Sequence, residues 1–292
     1  MIPVGLTLQP EAAYLERLAP LFDEEADYFE VAPETLWRKD GGGEIVPNGF
    51  HRRFLEIREQ TGKPFVAHGV GLSLGTADED DPARLRRWLE RIRADHALFA
   101  FGWYTDHLGA TTLDGRALTL PVPLPMTPEM AARVRTRLRH LQTVVPDVGF
   151  ENAVFYFLFG RPLDEPAFFR AILSAPRMHL LLDLHNVYTM GLNLGFEPSE
   201  YVDGLDLTRV IEIHISGGSD SEPLWLPSGA TRRLDSHDAP VPEPVWALLE
   251  RVLPRCANLR GVTLERMEGT VEAGDVGLLR EEVRRAKGIA AR

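Results

Sequence analysis

The sequence holds a single cysteine, Cys256, in 292 residues. That excludes an intrachain disulfide and any thiolate-rich metal site, so a bound metal has to sit on nitrogen and oxygen. Basic residues are in deficit. With 32 Lys and Arg against 43 Asp and Glu, the formal charge is −11, which argues against nucleic-acid binding driven by clustered cations and counterion release. No apolar run reaches the roughly 18 residues needed to cross a bilayer. The opening "MIPVGLTLQP" lacks the basic region and small-residue cleavage site of a secretory signal. A cytoplasmic protein with no nucleic-acid or membrane partner is expected. Internal repeats, low-complexity tracts and a dividing linker are also missing, and 44% hydrophobic with 26% charged residues suits an ordinary globular fold.

What the chain does have is alternation. Short apolar or β-branched runs recur at 2–8, 27–32, 64–70, 97–104, 148–154, 179–185, 210–216 and 261–267. Between them lie stretches with helical periodicity, among them 82–96, 128–145, 165–175 and 242–256, and Pro128 and Pro244 stand near helix starts, where a missing N–H costs nothing. Strand and helix in alternation predict an α/β fold with a parallel sheet. Eight such pairs over this length predict one domain across 1–292, a (β/α)8 TIM barrel; a doubly wound open sheet is the competing architecture. Two stretches, "WRKDGGGEIVPNGFHR" (37–52) and 216–242, are too long for tight connections. They read as irregular loops on the C-terminal face, with "DGGGE" (40–44) as a flexible lid tip.

The strand ends carry an oddity. "HLLLDLHNVYT" (179–189) begins as a core strand and finishes on Asp183 and His185. The same pattern recurs at His68, His107, Glu151, His214 and Glu265, and Asp235 and His237 follow in the loop after the seventh strand. Singly, each is more readily a hydrogen-bonded core or ion-paired residue, Glu265 or Glu151 with Arg266 for example. Jointly, several carboxylates driven into one barrel mouth need a cation. Four carboxylates and five imidazoles exceed one coordination shell, so at least two ions are expected, with Glu151 and Asp183 bridging and His107 beside them at the reacting position. Asp183 and His185, two apart on a strand, are expected to face the same side. Nitrogen and oxygen donors suit iron, zinc or manganese. Other motifs weigh less: "HGVGLSLG" (68–75) reads as a turn that places His68 rather than a phosphate cradle, and "FYFLF" (155–159) as packing.

With these residues in view, the chain resembles the multinuclear non-haem iron-dependent oxidative enzymes, formerly a family of unknown function that includes the iron enzyme of methanobactin biosynthesis. The likeness rests on "FEVAPE" (29–34), "AHGVGLSLG" (67–75), "DHLG" (106–109), "VPLPMT" (122–127), "ENAVFY" (151–156), "LLLDLHNVYT" (180–189), "NLGFEP" (193–198), "IEIHISG" (211–217), "LDSHDAPVPEPVW" (234–246) and "LERM" (264–267). The resemblance implies a xylose-isomerase-like TIM barrel holding two or three iron ions at its C-terminal mouth and an oxygen-dependent oxidation of a peptide or thiol-containing substrate, as in ribosomal peptide natural-product biosynthesis, often with a small partner protein that presents the peptide. His68, His107, Glu151, Asp183, His214, Asp235, His237 and Glu265 match its ligand motifs. The sequence departs from the pattern at His185, generally asparagine, at Ala32 and Gly218, where histidines are common, and in a longer 219–233 loop. A redox-neutral divalent-metal enzyme of the sugar isomerase or phosphodiesterase type is the alternative, and a purely structural metal the third reading.

Overall fold

The computed structural model describes residues 1–76 and 82–292. In chain order its strands are β1 (Val4–Thr7), β2 (Phe29–Val31), β3 (Trp37–Lys39), β4 (Ile45–Pro47), β5 (Phe65–Gly69), β6 (Tyr104–His107), β7 (Ala110–Leu113), β8 (Arg116–Val122), β9 (Val148–Glu151), β10 (Met178–Asp183), β11 (Val210–Ile215) and β12 (Gly261–Leu264). Eight of them close into a parallel barrel in the order β1-β12-β11-β10-β9-β6-β5-β2. The α-helices are α1 (Ala12–Glu24), α2 (Gly49–Thr61), α3 (Pro82–Phe99), α4 (Pro128–Gln142), α5 (Glu165–Ile172), α6 (Leu184–Leu194), α7 (Pro198–Gly204), α8 (Glu243–Val252) and α9 (Asp275–Ala290). The barrel is therefore closed, and the open-sheet alternative falls.

Period-two alternation sorts the strands' side chains. Phe29, Val31, Phe65, Ala67, Val148, Phe150, Leu180, Leu182, Val262 and Leu264 join the main hydrophobic core. Among the intervening positions, Glu30, His68, Glu151 and Thr263 are polar and equally buried. Apolar side chains thus bind strand to helix, while polar ones fill the barrel's axis. Near its N-terminal end, Tyr28, Val66, Trp103 and Ile211 form a separate apolar plug. A register shift opposite Leu180 and Leu181 gives β11 one extra residue, so Ile211 joins the plug while Glu212 and His214 keep their register. Tyr28 fits because Gly5 and Gly261 have no side chain: a Cβ at either would lie 2.5 or 2.4 Å from the phenol.

Four sequence expectations need correction. Residues 97–99 belong to α3, and the fourth barrel strand is Tyr104–His107, because the helix's buried stripe through Ile92, Asp95 and Phe99 continues past Ala97. The 37–52 segment is not irregular: β3 and β4 pair as a hairpin with "DGGGE" at its turn, and α2 starts at Gly49 with Asn48 Oδ1 accepting from the amides of Phe50 and His51. The strand expected to run through His185 ends at Asp183, which caps α6. The aromatic run is only partly packing: Phe155 is buried, but Phe157 and Phe159 are 54% and 55% exposed.

Candidate metal centre

Strand termini deliver most of the polar residues to one mouth. His107, Glu151 and Asp183 are the last residues of β6, β9 and β10, His68 and His214 come one residue before the ends of β5 and β11, and Glu265 directly follows β12. Asp235 and His237 arrive from the loop between β11 and α8, and His185 from the first turn of α6. All nine residues meet in this mouth. Donor atoms within 4.8 Å of one another group as His68–Glu151–His214, Asp183–His237–Glu265, His185–Asp235–His237 and Glu30–His214–Glu265. His107 joins through Glu151, its Nε2 lying 3.1 Å from Oε2.

Neighbouring groups aim the donors. His107 donates from Nδ1 to the Gly69 carbonyl at 3.1 Å, and His68 Nδ1 lies 2.9 Å from Thr105 Oγ1, so both rings turn Nε2 toward Glu151. His214 donates from Nε2 to Glu30 at 2.8 Å, leaving Nδ1 to face the mouth, the carboxylate–histidine arrangement that orients metal-ligating imidazoles. Asp183 spends Oδ1 on the Asn186 amide at 2.6 Å. Asn152 ties β9 to β10, accepting from the Asp183 amide at 2.8 Å and donating to its carbonyl at 2.9 Å, and Asn186 donates to Glu151 Oε1 at 3.2 Å. His237 takes a left-handed backbone, φ 50°, which an L-residue adopts only at some cost, and its ring reaches Asp235 at 2.7 Å.

The decisive feature is what stays unpaired. Among the described residues, Glu151 Oε2, Asp183 Oδ2, Glu265 Oε2 and His214 Nδ1 are buried without a hydrogen bond, although His214 Nδ1 and Glu265 Oε2 stand 3.0 Å apart. Such atoms cost about 1–3 kcal/mol each when desolvated and unmatched. Protonation tells the same story. Burial, then the Glu151, Asp235 and Glu265 charges, push Asp183 well above the carboxylate range, and burial raises Glu30 to about 8 against the pull of His214. For His214, burial opposes the charged ring, but Glu265 and Glu30 outweigh it and lift the group well above its usual value. Burial likewise opposes charge on His237, yet Asp235 and Glu265 raise it to about 10. Burial would raise Glu265, but His214 and His237 hold it at about 2. Protons thus stand where positive charge is required. Orphaned oxygens around vacant imidazole nitrogens fit hard-to-borderline divalent ions.

Two residues escaped the sequence reading. Glu30, fully buried behind His214, was detectable from the alternation Tyr28-Phe29-Glu30-Val31, in which a carboxylate takes an inward position. Glu212, below it, accepts from Trp103 Nε1 at 2.6 Å and Tyr28 Oη at 3.1 Å. Arg266 turns away from the mouth to Glu282, 3.4 Å distant, so it does not pair with Glu265.

Above the carboxylates lies a cavity of about 540 Å³, walled by Val70, Pro121, Val122, Pro123, Val154 and Met267 among others. No Lys or Arg lines it among the described residues. Its size suits a small molecule or one extended peptide residue with its neighbours.

Comparison with known proteins finds a match over residues 3–291 to the family model described as RiPP precursor modification enzyme MbnB/TglH/ChrH. A UPF0276 protein of Pseudomonas aeruginosa is 34% identical over 263 residues, 90% of this chain and 85% of that one. A UPF0276 protein of Caulobacter vibrioides is 30% identical, covering 99% and 95%. Among solved structures, a xylose isomerase-like TIM barrel protein from Mycobacterium smegmatis in complex with magnesium superposes with a TM-score of 0.61 at 15% identity over 99% of this chain and 98% of that one. The 3-keto-D-glucoside 4-epimerase YcjR of E. coli gives 0.58 at 16%, covering 99% and 100%. These two establish the fold alone.

Proposed function

Since the chain belongs to the MbnB/TglH/ChrH family of RiPP precursor modification enzymes, we propose that it is an oxygen-using oxidase with two or three iron ions that modifies a peptide or thiol-containing substrate. One observation carries the metal assignment: four buried donor atoms from four different strand ends face one another unpaired. Family membership supports the peptide substrate; a small protein that presents the peptide is part of the proposal.

In this reading His68, His107, His214 and Glu151 would hold one ion, Asp183, His237 and Glu265 a second, and His185 with Asp235 a third next to His237. Glu151 and Asp183, each with one unpaired oxygen turned to the mouth, would be the carboxylates shared between ions. When bound, iron supplies one-electron redox chemistry with oxygen and Lewis acidity toward a thiolate. The chain's residues do the rest. Glu30 keeps His214 in one tautomer and orientation. Asn152 and Asn186 fix the spacing of Glu151 and Asp183. The apolar walls exclude water from the reacting side chain, and His107, the most exposed of the first cluster at 22% of its side chain, borders the substrate space. Among the described residues no Lys or Arg lines the cavity, so a phosphodiester would meet no lysine or arginine there, which disfavours phosphodiesterase chemistry.

Anaerobic purification followed by metal analysis and Mössbauer spectroscopy tests the iron assignment, and oxygen uptake with a precursor peptide tests the reaction. Two or more irons per chain and substrate-dependent uptake are expected. Zinc alone, with no oxygen consumed, overturns the proposal.

A further inference from the structure

The aromatic run after β9 leaves two rings in solvent. Phe157 and Phe159 meet edge to face with centroids 5.7 Å apart, each more than half exposed, and Phe157 also lines the cavity. Folding has therefore set a paired aromatic surface on the lip of the candidate site instead of in the core. Exposed apolar surface contiguous with a pocket marks a binding site more often than a packing error, and rigid aromatic rings supply much contact area for little ordering cost. The same cavity is lined by the apolar Pro121, Val122 and Pro123. Charge narrows the occupant further. With no lining Lys or Arg among the described residues, and with Glu268 on the lining, an acidic side chain entering beside the reacting residue would lose water without gaining a cationic side chain.

We propose that Phe157 and Phe159 form a clamp outside the metal centre that grips a large apolar side chain of an extended substrate peptide, and that the cavity discriminates against Asp and Glu next to the reacting residue. This rests on the peptide-modifying function proposed above and adds the class of peptide. The clamp positions substrate and takes no part in the oxidation.

Binding is measured by calorimetry under nitrogen on the metal-replete full chain, so that no turnover occurs. The probes are three blocked pentapeptides, Ac-Gly-Phe-Cys-Phe-Gly-NH2 and its counterparts with Glu or Gly at both Phe positions. The Phe probe is expected to bind at least about tenfold more tightly than the Glu probe. The Phe157→Ser/Phe159→Ser variant is expected to lose that advantage while keeping its metal content. Equal binding of the Phe and Glu probes, an unaltered preference in the variant, or no binding of any probe at millimolar concentration overturns the inference. So does sedimentation showing a wild-type dimer that the variant dissolves, since the rings would then contact a second copy of the chain. Because oxygen is absent, this outcome is separate from the iron and oxygen tests: a clamp that fails leaves an oxidase intact, and an oxidase that fails leaves peptide binding measurable.

Discussion

Asp147 and Glu151 stand at opposite ends of the same short strand, and both are buried carboxylates. Asp147, at the N-terminal end of the barrel, has its two oxygens filled: Arg177 donates to both at 3.1 and 3.0 Å, His179 lies 3.1 Å from Oδ1, and Arg260 donates to Oδ2 at 2.9 Å. Glu151, at the mouth, faces imidazoles and other carboxylates, and one of its oxygens makes no hydrogen bond. Glu212, midway along the axis, is satisfied by a tyrosine, a tryptophan and a threonine. Internal cations or donors thus settle Asp147 and Glu212, while Glu151, Asp183 and Glu265 at the mouth keep unpaired oxygens. An end settled by arginine is structural; an end settled by nothing in the chain is built for something that arrives from outside.

The contrast gives tests in descending order of effect. Glu151→Gln should lower metal affinity more than about 100-fold, read by competition with a chromophoric chelator; unchanged affinity would make the mouth as self-sufficient as the base. Next comes pH. Without metal, His237 is raised to about 10 and is protonated at neutrality, and His214 and Asp183 are shifted in the same direction, so ligation must displace protons. Affinity should then rise with pH and fall by at least about tenfold per unit on acidification through neutrality, with one or more protons released per binding event. Calorimetry in buffers of different ionisation enthalpy measures that release, and a value of zero would remove the two imidazoles from the shell. Glu30→Gln, which leaves the ligands in place, should cost about 10–100-fold in affinity.

At the other end, Asp147→Asn should leave metal content unchanged and reduce unfolding free energy by about 2 kcal/mol in urea titrations at pH 7. Burial disfavours the ionised Asp147, but its two arginines and His179 hold it below its ordinary 3.8. A depressed folded value means the stabilisation is present above the unfolded value and lost as pH falls below it. The gap between Asp147→Asn and wild type should accordingly close below about pH 4 and persist at neutrality. Smallest of all, Arg177→Met, at a side chain 58% exposed, should cost under about 1 kcal/mol.

Much of this was legible in the sequence because barrel strands announce themselves by composition and their C-terminal ends by polar residues out of character. Asp183 after three leucines is such a residue. The misplaced fourth strand shows the limit: Ala97, Leu98 and Phe99 are as apolar as a strand, and only the helical register of Ile92, Asp95 and Phe99 assigns them to α3. His185 shows another, since a D-x-H spacing fits a strand equally well, and nothing local reveals that Asp183 caps a helix there. Glu30 went unseen because a lone glutamate between two apolar residues also describes an edge strand. Phe157 and Phe159 misled because composition distinguishes an aromatic core from an aromatic lip only through its neighbours.

One consequence concerns Cys256. It lies ahead of β12, on the opposite side of the barrel from the mouth, with its thiol buried and pushed up to about 12. The mouth therefore has no cysteine of its own chain beside it. Alkylating reagents added to the folded protein with a cysteine peptide would report on the peptide alone, giving the assay a silent background without any engineered variant.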